Sequence, residues 1–331
     1  MKPAAKQIQL ILSFVLLAVF VHGQRAWIDS VKKVLPLQKA DTNKIKLLCD
    51  FGEKYSLFAP DSAFLYGQEA LALSKKLHSE EGIFFSIVVI NKALYALGNY
   101  SLELDYAFQA WPIGQKLNNT NTLGWSDGMM GDCYFNMGQY REALTHYQTT
   151  LKLAEKDSIS VLPQMYAGLV PVFQGLKQYD SALFYARKGY TLFKSLPAFN
   201  GVTDDDMRVK CFQFRFLGEA FAGKEQYDSA LFYYHLSLST SQPITMRLNE
   251  LDIYNGLAKI YKTKNKLDSA IYFAAMVVCD KTTKNYPVGK LQASSLLADV
   301  YEMKNIPDST VKYLRMSIVI QDSLYNKDKM L

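Results

Sequence analysis

The amino-acid sequence predicts an all-α protein, a solenoid of about seven stacked helix-turn-helix repeats of ~40 residues. The first observation is a short signature that returns roughly every 40 residues, as in 138–143 (GQYREA) and 225–230 (EQYDSA). The second is the helical spacing of apolar residues on both sides of each signature. The third is a turn signal inside it, such as Gly138-Gln139. A fixed period of this length indicates stacked repeats, and such stacks usually present a binding surface.

The residue that closes each signature allows the units to be counted. The closing residues are Ala63, Glu103, Ala143, Ala182, Ala230, Ala270 and Thr310. The interval is widest between Ala182 and Ala230, and we expect the added residues, near Leu196–Met207, to form a solvated loop and a helix start. The sequence therefore predicts a nearly regular stack with one insertion.

The third unit shows how one repeat is built. Apolar residues with helical spacing precede Gly138, and a second helical pattern begins after it. We expect Gly131 to face Ala143 where the two helices cross, because small side chains allow a close approach. Aromatic columns nine and three residues before the closing residue are expected to fill the space between repeats. The first of these columns contains Leu94, Tyr134, Phe173, Phe221, Tyr261 and Tyr301.

An Asp-Ser pair precedes the closing residue in five units. The aspartates are Asp61, Asp180, Asp228, Asp268 and Asp308. We predict that they are helix N-caps, since aspartate accepts backbone N–H bonds and complements the helix dipole. The alternative is modification, because Asp-Ser-Ala resembles the O-glycosylation site of exported Bacteroidetes proteins.

Composition excludes some classes of function. A net charge of +6 on 331 residues is too small and too scattered to indicate a nucleic-acid-binding protein. The cysteines, Cys49, Cys133, Cys211 and Cys279, lie far apart within apolar helical patterns, which favours four buried thiols over a disulfide. Their spacing does not match a metal site, and we expect no metal and no cofactor.

The first residues of the sequence predict export, and the patterns that follow divide the chain into a cap, a solenoid and a tail. Residues 1–23 have the positive start, the apolar run and the small residues of a secretory signal peptide, although an uncleaved anchor is an alternative. Residues 24–41 are predicted to cap the stack, with a short amphipathic helix at Ile28–Leu35. The solenoid is expected to cover 42–325, followed by a tail at 326–331.

No catalytic constellation is visible in the sequence. His78, His146 and His235 belong to different repeats, and none lies beside a plausible nucleophile. P-loop, dinucleotide-binding and nucleophile-elbow motifs are absent from the sequence. We therefore predict that this chain is not an enzyme.

These columns resemble those of the tetratricopeptide repeat, a helix-turn-helix unit that stacks into a right-handed superhelix. The resemblance covers about residues 42–325, and it departs from the family in its period, since the common unit has about 34 residues. It implies that the first helix of each hairpin lines a concave groove that binds a peptide or protein. The groove residues that it implies are Lys92, Tyr95, Trp125, Asp132, Asn136, Arg215, Glu219, Asn255, Lys259 and Lys262.

Two further segments resemble a particular group of sensors. Residues 28–44 and 321–329 are similar to the ends of the periplasmic repeat domains of Bacteroidetes histidine-kinase sensors. The resemblance implies a periplasmic sensory input region whose kinase part would lie outside this chain, with membrane contact only through a segment beyond Leu331 and a homodimer as one arrangement. A free-standing periplasmic scaffold that assembles protein complexes is the alternative.

Overall fold

The computed structural model describes residues 35–56, 59–157, 162–201, 203–241, 246–281 and 286–327. Within these residues it contains 14 α-helices and two short 3-10 helices, and no strand. The α-helices, α1 to α14 in chain order, are Thr42–Tyr55, Pro60–Lys76, Glu80–Leu97, Tyr100–Lys116, Thr120–Asn136, Tyr140–Asp157, Leu162–Gly175, Tyr179–Ser195, Asp204–Gly223, Tyr227–Ser241, Arg247–Thr263, Leu267–Val278, Pro287–Met303 and Pro307–Lys327. The prediction of an all-α helical repeat is confirmed.

Several predicted segments lie outside the described residues. They include the signal peptide at 1–23, residues 24–34 of the predicted 24–41 cap and residues 328–331 of the predicted tail. Leu35, the last residue of the expected capping helix, begins the 3-10 turn Leu35–Leu37. None of the helices in the described part of the chain is both long and apolar enough to cross a bilayer.

The chain forms two compact units, and the boundary between them falls within α3, after Ile90. In the first unit, α1 begins at Asp41, whose carboxylate accepts the backbone N–H groups of Asn43 and Lys44 at 3.0 and 3.1 Å. The buried core of this unit is built from Leu35, Ile45, Leu48, Cys49, Ala70 and Val89. In the second unit, each odd-numbered helix from α5 to α13 pairs with the helix that follows it, and successive pairs pack on one another.

The turn inside each hairpin uses the same backbone geometry. The residue five positions before the closing residue has a positive φ in the last six units, as with Gly138 at 76° and Glu225 at 58°. The N–H of Gln226 donates to the carbonyl of Phe221, and the N–H of Glu225 donates to that of Ala222. These two bonds form a Schellman motif, which satisfies the last carbonyls of the first helix.

Close packing of the hairpins depends on the alanine column and on stacked rings. The closing alanines Ala143, Ala182, Ala230 and Ala270 are fully buried. The aromatic column nine residues before them stacks inside each hairpin, not between repeats as predicted. The stacked pairs, with ring centroids 5.2–5.5 Å apart, are Tyr134–His146, Phe173–Tyr185, Phe221–Tyr233, Tyr261–Phe273 and Tyr301–Tyr313.

The aromatic residues three positions before the closing residue do pack between repeats. A Cβ on Gly175 would lie 2.6 Å from the ring of Tyr140, and a Cβ on Gly223 would lie 2.8 Å from the ring of Tyr179. In both cases the tyrosine begins the second helix of one hairpin, and the glycine lies at the end of the first helix of the next. These tyrosines therefore join neighbouring repeats.

The glycine at the helix crossing lies against a tyrosine ring of the second helix, a contact that the sequence did not predict. A Cβ on Gly131 would lie 3.0 Å from the ring of Tyr147, and one on Gly218 would lie 2.5 Å from the ring of Tyr234. Each tyrosine belongs to the second helix and follows the closing alanine by four residues. The missing side chain leaves room for the ring, because protein interiors contain few voids.

The aspartates of the Asp-Ser pairs are not N-caps, so this prediction is wrong as well. Asp180 is the second residue of α8, and the N-cap is Gln178. Its carboxylate instead accepts a bond from a lysine at the C-cap of the next repeat's first helix. The three such pairs, at Nζ–O distances of 2.5–2.8 Å, are Asp180–Lys224, Asp228–Lys264 and Asp268–Lys304. These ion pairs therefore join the fourth hairpin to the fifth, the fifth to the sixth and the sixth to the seventh.

Three of the four cysteines and the insertion have the structure that the sequence predicted. Cys49, Cys133 and Cys211 are buried free thiols as predicted, but Cys279 is exposed because it caps the end of α12. The insertion forms a 3-10 turn, Pro197–Asn200, and then the start of α9, as expected. Thr203 and Asp206 form a capping box at this helix start.

Candidate peptide-binding groove

We call the candidate surface on the first helices of the second unit the inner face, and define it by Tyr95, Trp125, Asp132, Arg215, Asp252 and Lys259. Tyr95 on α3 and Trp125 on α5 are both 51% exposed there. Burial, and then the negative charge of Asp252 on α11, raises the pKa of Tyr95. Asp252 is thus close enough to Tyr95 for its charge to act on the phenol group, although the two residues are far apart in sequence. The inner face is therefore accessible to solvent and also enclosed by protein.

One end of the inner face carries two carboxyl groups, Glu103 and Asp132, beside Tyr95 and Tyr147. We call these four residues the acidic patch. Tyr147 extends from α6 past Gly131 and donates its hydroxyl hydrogen to Asp132. Burial raises the pKa of Asp132 to about 6, and the bond from Tyr147 only partly offsets this effect. Water reaches the Asp132 side chain, but the protein around it makes its ionised form costly.

Glu103 occupies a position where five of the other units have alanine. Its side chain is 3% exposed, and its Oε2 atom has no hydrogen-bond partner among the described residues. Burial, and then the charge of Asp132, raises the pKa of Glu103, while a hydrogen bond with Cys133 acts in the opposite direction. Glu103 therefore lies close behind Asp132, with one carboxyl oxygen unused.

The other end of the inner face carries an ion-pair network, the Arg215 cluster of Arg215, Glu219, Asp252 and Tyr286. The Arg215 guanidinium lies 2.5 Å from Glu219 and 3.3 Å from Asp252. Tyr286 donates its hydroxyl hydrogen to Asp252. Burial tends to lower the pKa of Arg215, but the two carboxylates outweigh it and raise the value. Each acid of this cluster thus has a cation or a hydroxyl donor.

Lys259 and Lys262 lie next to this cluster on α11. The Lys259 Nζ atom is 3.4 Å from Gln292, and burial lowers the pKa of this lysine against the opposing effect of Glu219. Lys262 forms an ion pair with Asp299 at 2.5 Å. Lys259 is therefore a partly desolvated cation at the α11 end of the inner face.

The ten sequence-predicted residues fall into three classes of accessibility. Lys92, Tyr95, Trp125, Asp132 and Lys259 are exposed, whereas Asn136, Arg215, Glu219 and Lys262 are half-buried. Asn255 is 4% exposed, and its amide donates to the carbonyl of Gly289 at 3.1 Å. Asn255 therefore binds the neighbouring repeat and does not line the accessible surface, because its side chain points between α11 and α13.

Sequence reasoning missed five residues of the site: Glu103, Tyr147, Asp252, Tyr286 and Tyr234. Tyr234 is a buried residue of α10 whose pKa is raised by burial and then by the charge of Glu219. Asp252 could have been found, since it precedes Lys259 by seven residues and so shares its helix face. Tyr147 and Tyr234 could also have been predicted from the sequence, because each belongs to a repeat that has glycine at the helix crossing, Gly131 and Gly218 respectively. Tyr286 had none, since it precedes α13 and its contact with Asp252 depends on the packing of two repeats.

Comparison with known proteins supports the same fold. The sequence pattern of the tetratricopeptide repeat matches residues 129–157, which lie in α5 and α6. No match was found among curated proteins. The quorum sensor NprR in complex with its cognate peptide NprX superimposes with a TM-score of 0.64 at 14% identity, covering 96% of this chain and 91% of NprR.

Two Rap proteins superimpose similarly. A Rap protein complexed with Competence and Sporulation Factor gives a TM-score of 0.64 at 13% identity, covering 90% of this chain and 80% of that protein. The Rap conjugation regulator of plasmid pLS20, in complex with the Phr* peptide, gives 0.60 at 14% identity, covering 86% and 78%. Identities this low show the fold alone, which is a helical repeat fold of tetratricopeptide type.

Proposed function

We propose that this protein binds a peptide, or an extended segment of a partner protein, along the inner face of its second unit. The observation that supports this most is the enclosed but accessible surface on which Tyr95 and Trp125 are each half exposed. Large aromatic side chains that remain accessible inside a groove are typical anchors for a partner. The peptide complexes of NprR and of the pLS20 Rap regulator show that similar scaffolds bind peptides.

The chemistry of the inner face suits an extended chain of both polar and apolar character. Trp125 and Asp132 are seven residues apart on α5 and so lie on one face, about two turns from each other. Lys259 at the other end can bind a carboxylate or a backbone carbonyl of the ligand. A ligand that spans the two ends would contact aromatic, acidic and basic groups in turn.

The test uses peptides selected from a random dodecapeptide display library against the wild-type chain. Replacing Trp125 and Lys259 together with alanine should reduce the affinity for these peptides at least tenfold, because an aromatic anchor and a cation are lost. The matched control is Phe232→Ala on α10, which removes another exposed ring, 61% accessible, from a second helix. Both variants should melt as the wild type does, and equal binding by the double variant would place the site elsewhere.

We further propose that the chain is the periplasmic sensory input region of a signal-transduction protein of the histidine-kinase type. The resemblance of residues 28–44 and 321–329 to such sensors supports this role. In a fractionated immunoblot of the native organism, antibody against residues 24–331 should detect a membrane band well above 37.6 kDa. A soluble band at or slightly below that mass would contradict the sensor role and favour a free-standing scaffold.

A further inference from the structure

We infer that the acidic patch is a subsite for a positively charged group of the bound peptide, either a lysine or arginine side chain or the amino terminus. This inference rests on the proposed function and adds the chemical class of ligand that one end of the inner face recognises. Asp132 would accept the charged hydrogen bonds, and the ring of Tyr95 would lie beside the cation.

Asp132 differs from the other acids of the inner face. Glu219 and Asp252 both lie beside Arg215, and Asp299 pairs with Lys262. Among the described residues, Asp132 has a hydroxyl donor in Tyr147 but no cation within ion-pair distance. A carboxylate in an enclosed surface without a counter-ion is costly to keep ionised. A cationic ligand would supply the charge that the protein omits.

Glu103 has one carboxyl oxygen without a hydrogen-bond partner among the described residues. This carboxyl group is 3% exposed, its Oε2 atom is unpartnered among the described residues, and it lies within range of the charge on Asp132. Buried polar atoms almost always have a partner, so an unused one needs an explanation. Glu103 also replaces the alanine that five other units use at this position. Among the described residues, this end of the inner face thus holds two carboxyl groups, one unused carboxyl oxygen and no cation paired with either acid.

The acidic patch is accessible to a ligand. Asp132, Tyr95 and Trp125 are all exposed on the inner face, and Tyr147 occupies one oxygen of Asp132 and leaves the other side of the carboxylate free for a ligand. A bound ammonium or guanidinium group would therefore meet a fixed acceptor, because the bond from Tyr147 orients Asp132 before binding.

The test compares peptide selections by three proteins from one random dodecapeptide library. Wild type and the control Asp105→Asn, an exposed acid on α4, should enrich peptides with lysine or arginine at a fixed position. Asp132→Asn keeps the acceptor for Tyr147 but removes the charge, so it should still select peptides without that enrichment. Peptide binding without basic enrichment by the wild type would overturn this inference and leave the proposed function standing, whereas failure to select any peptide would overturn both.

A direct measurement on one selected peptide assigns the source of the charge. Replacing its lysine with norleucine should weaken binding to the wild type by about tenfold or more, as expected for a charge-assisted hydrogen bond, and should change binding to Asp132→Asn little. If acetylation of the amino terminus has this effect instead, the amine is the group bound. Equal losses in wild type and Asp132→Asn for both changes would show that Asp132 is not the acceptor.

Discussion

At the scale of single residues, Asp132 shows how binding and stability compete. Its carboxyl group lies in an enclosed surface, and burial raises its pKa from 3.8 to about 6. The folded chain therefore holds this proton more tightly than the unfolded chain does. Near pH 7 both states are ionised, and the folded state carries the cost of a poorly solvated charge. Ligand binding would offset that cost.

A stability measurement follows from this residue. Asp132→Asn should melt at a higher temperature than the wild type at pH 7, because the uncompensated charge is gone while Tyr147 keeps an acceptor. As the pH falls through about 6, the wild-type carboxyl gains its proton and the difference should shrink. Thermal denaturation at pH 7.5 and pH 5, with Asp105→Asn as the control, measures this. A lower melting temperature for Asp132→Asn at pH 7.5 would contradict the assignment.

The same carboxyl group predicts how binding of a cationic peptide depends on pH. Affinity should be highest above pH 6 and should decrease as Asp132 becomes protonated. The ionisable groups near it are Tyr95, Glu103, Cys133 and Tyr147, and burial raises the pKa of each. The hydroxyl groups of Tyr95 and Tyr147 and the thiol group of Cys133 therefore stay neutral between pH 5 and pH 8. Titration calorimetry between pH 5 and pH 8 with a lysine-containing selected peptide would show the effect, and a flat profile would argue against it.

At the scale of elements, the hairpins depend on matched sizes at the helix crossing. Gly218 and Tyr234 form one such pair, in which a Cβ on the glycine would lie 2.5 Å from a ring that is 2% exposed. Where the crossing residue is instead Ala258, the facing position is Ala274. The tyrosine that the glycine admits extends towards the inner face. Repeat packing and the composition of the groove are thus connected.

Two glycine substitutions should have opposite effects on stability. Gly218→Ala should destabilise the chain by about 1–3 kcal/mol, because the new methyl group overlaps a buried ring that cannot move away. Gly168→Ala lies within α7 with open space around the new Cβ, and it should stabilise by roughly 0.5–1 kcal/mol through helix propensity. Urea denaturation of both variants compares them directly. Similar changes for the two would refute the packing assignment.

The turns offer a second comparison between glycine and other residues. Glu225 has a φ of 58°, a conformation that costs a residue with a side chain about 1 kcal/mol or more. Glu225→Gly should therefore stabilise the hairpin that contains it. Gly138 has a φ of 76°, so Gly138→Ala should destabilise its own hairpin. Chemical denaturation should show the two shifts with opposite signs. A loss of stability in Glu225→Gly would mean that its side chain contributes more than the backbone strain costs.

At the scale of the whole molecule, local features were predictable and distant ones were not. The period, the turn at Gly138 and the closing alanines identified the hairpins, because each depends on residues within one repeat. The same residues could not reveal that the charge of Asp252 acts on Tyr95. The position of one relative to the other depends on the small rotation between each repeat and the next, added over several repeats. The Asp228–Lys264 pair was missed for a similar reason, as it joins two repeats. Five of the ten predicted groove residues are exposed, whereas Asn255 is buried.

A peptide is proposed to bind on the inner face and not on the second helices. Photo-crosslinking tests this proposal most directly, with p-benzoylphenylalanine placed at Trp125 in one variant and at Phe232 in another. Both side chains are accessible, at 51% and 61%, so both probes can react with solvent-borne partners. We predict that a selected dodecapeptide crosslinks to the probe at 125 and not to the probe at 232. Crosslinking at 232 alone would contradict the account.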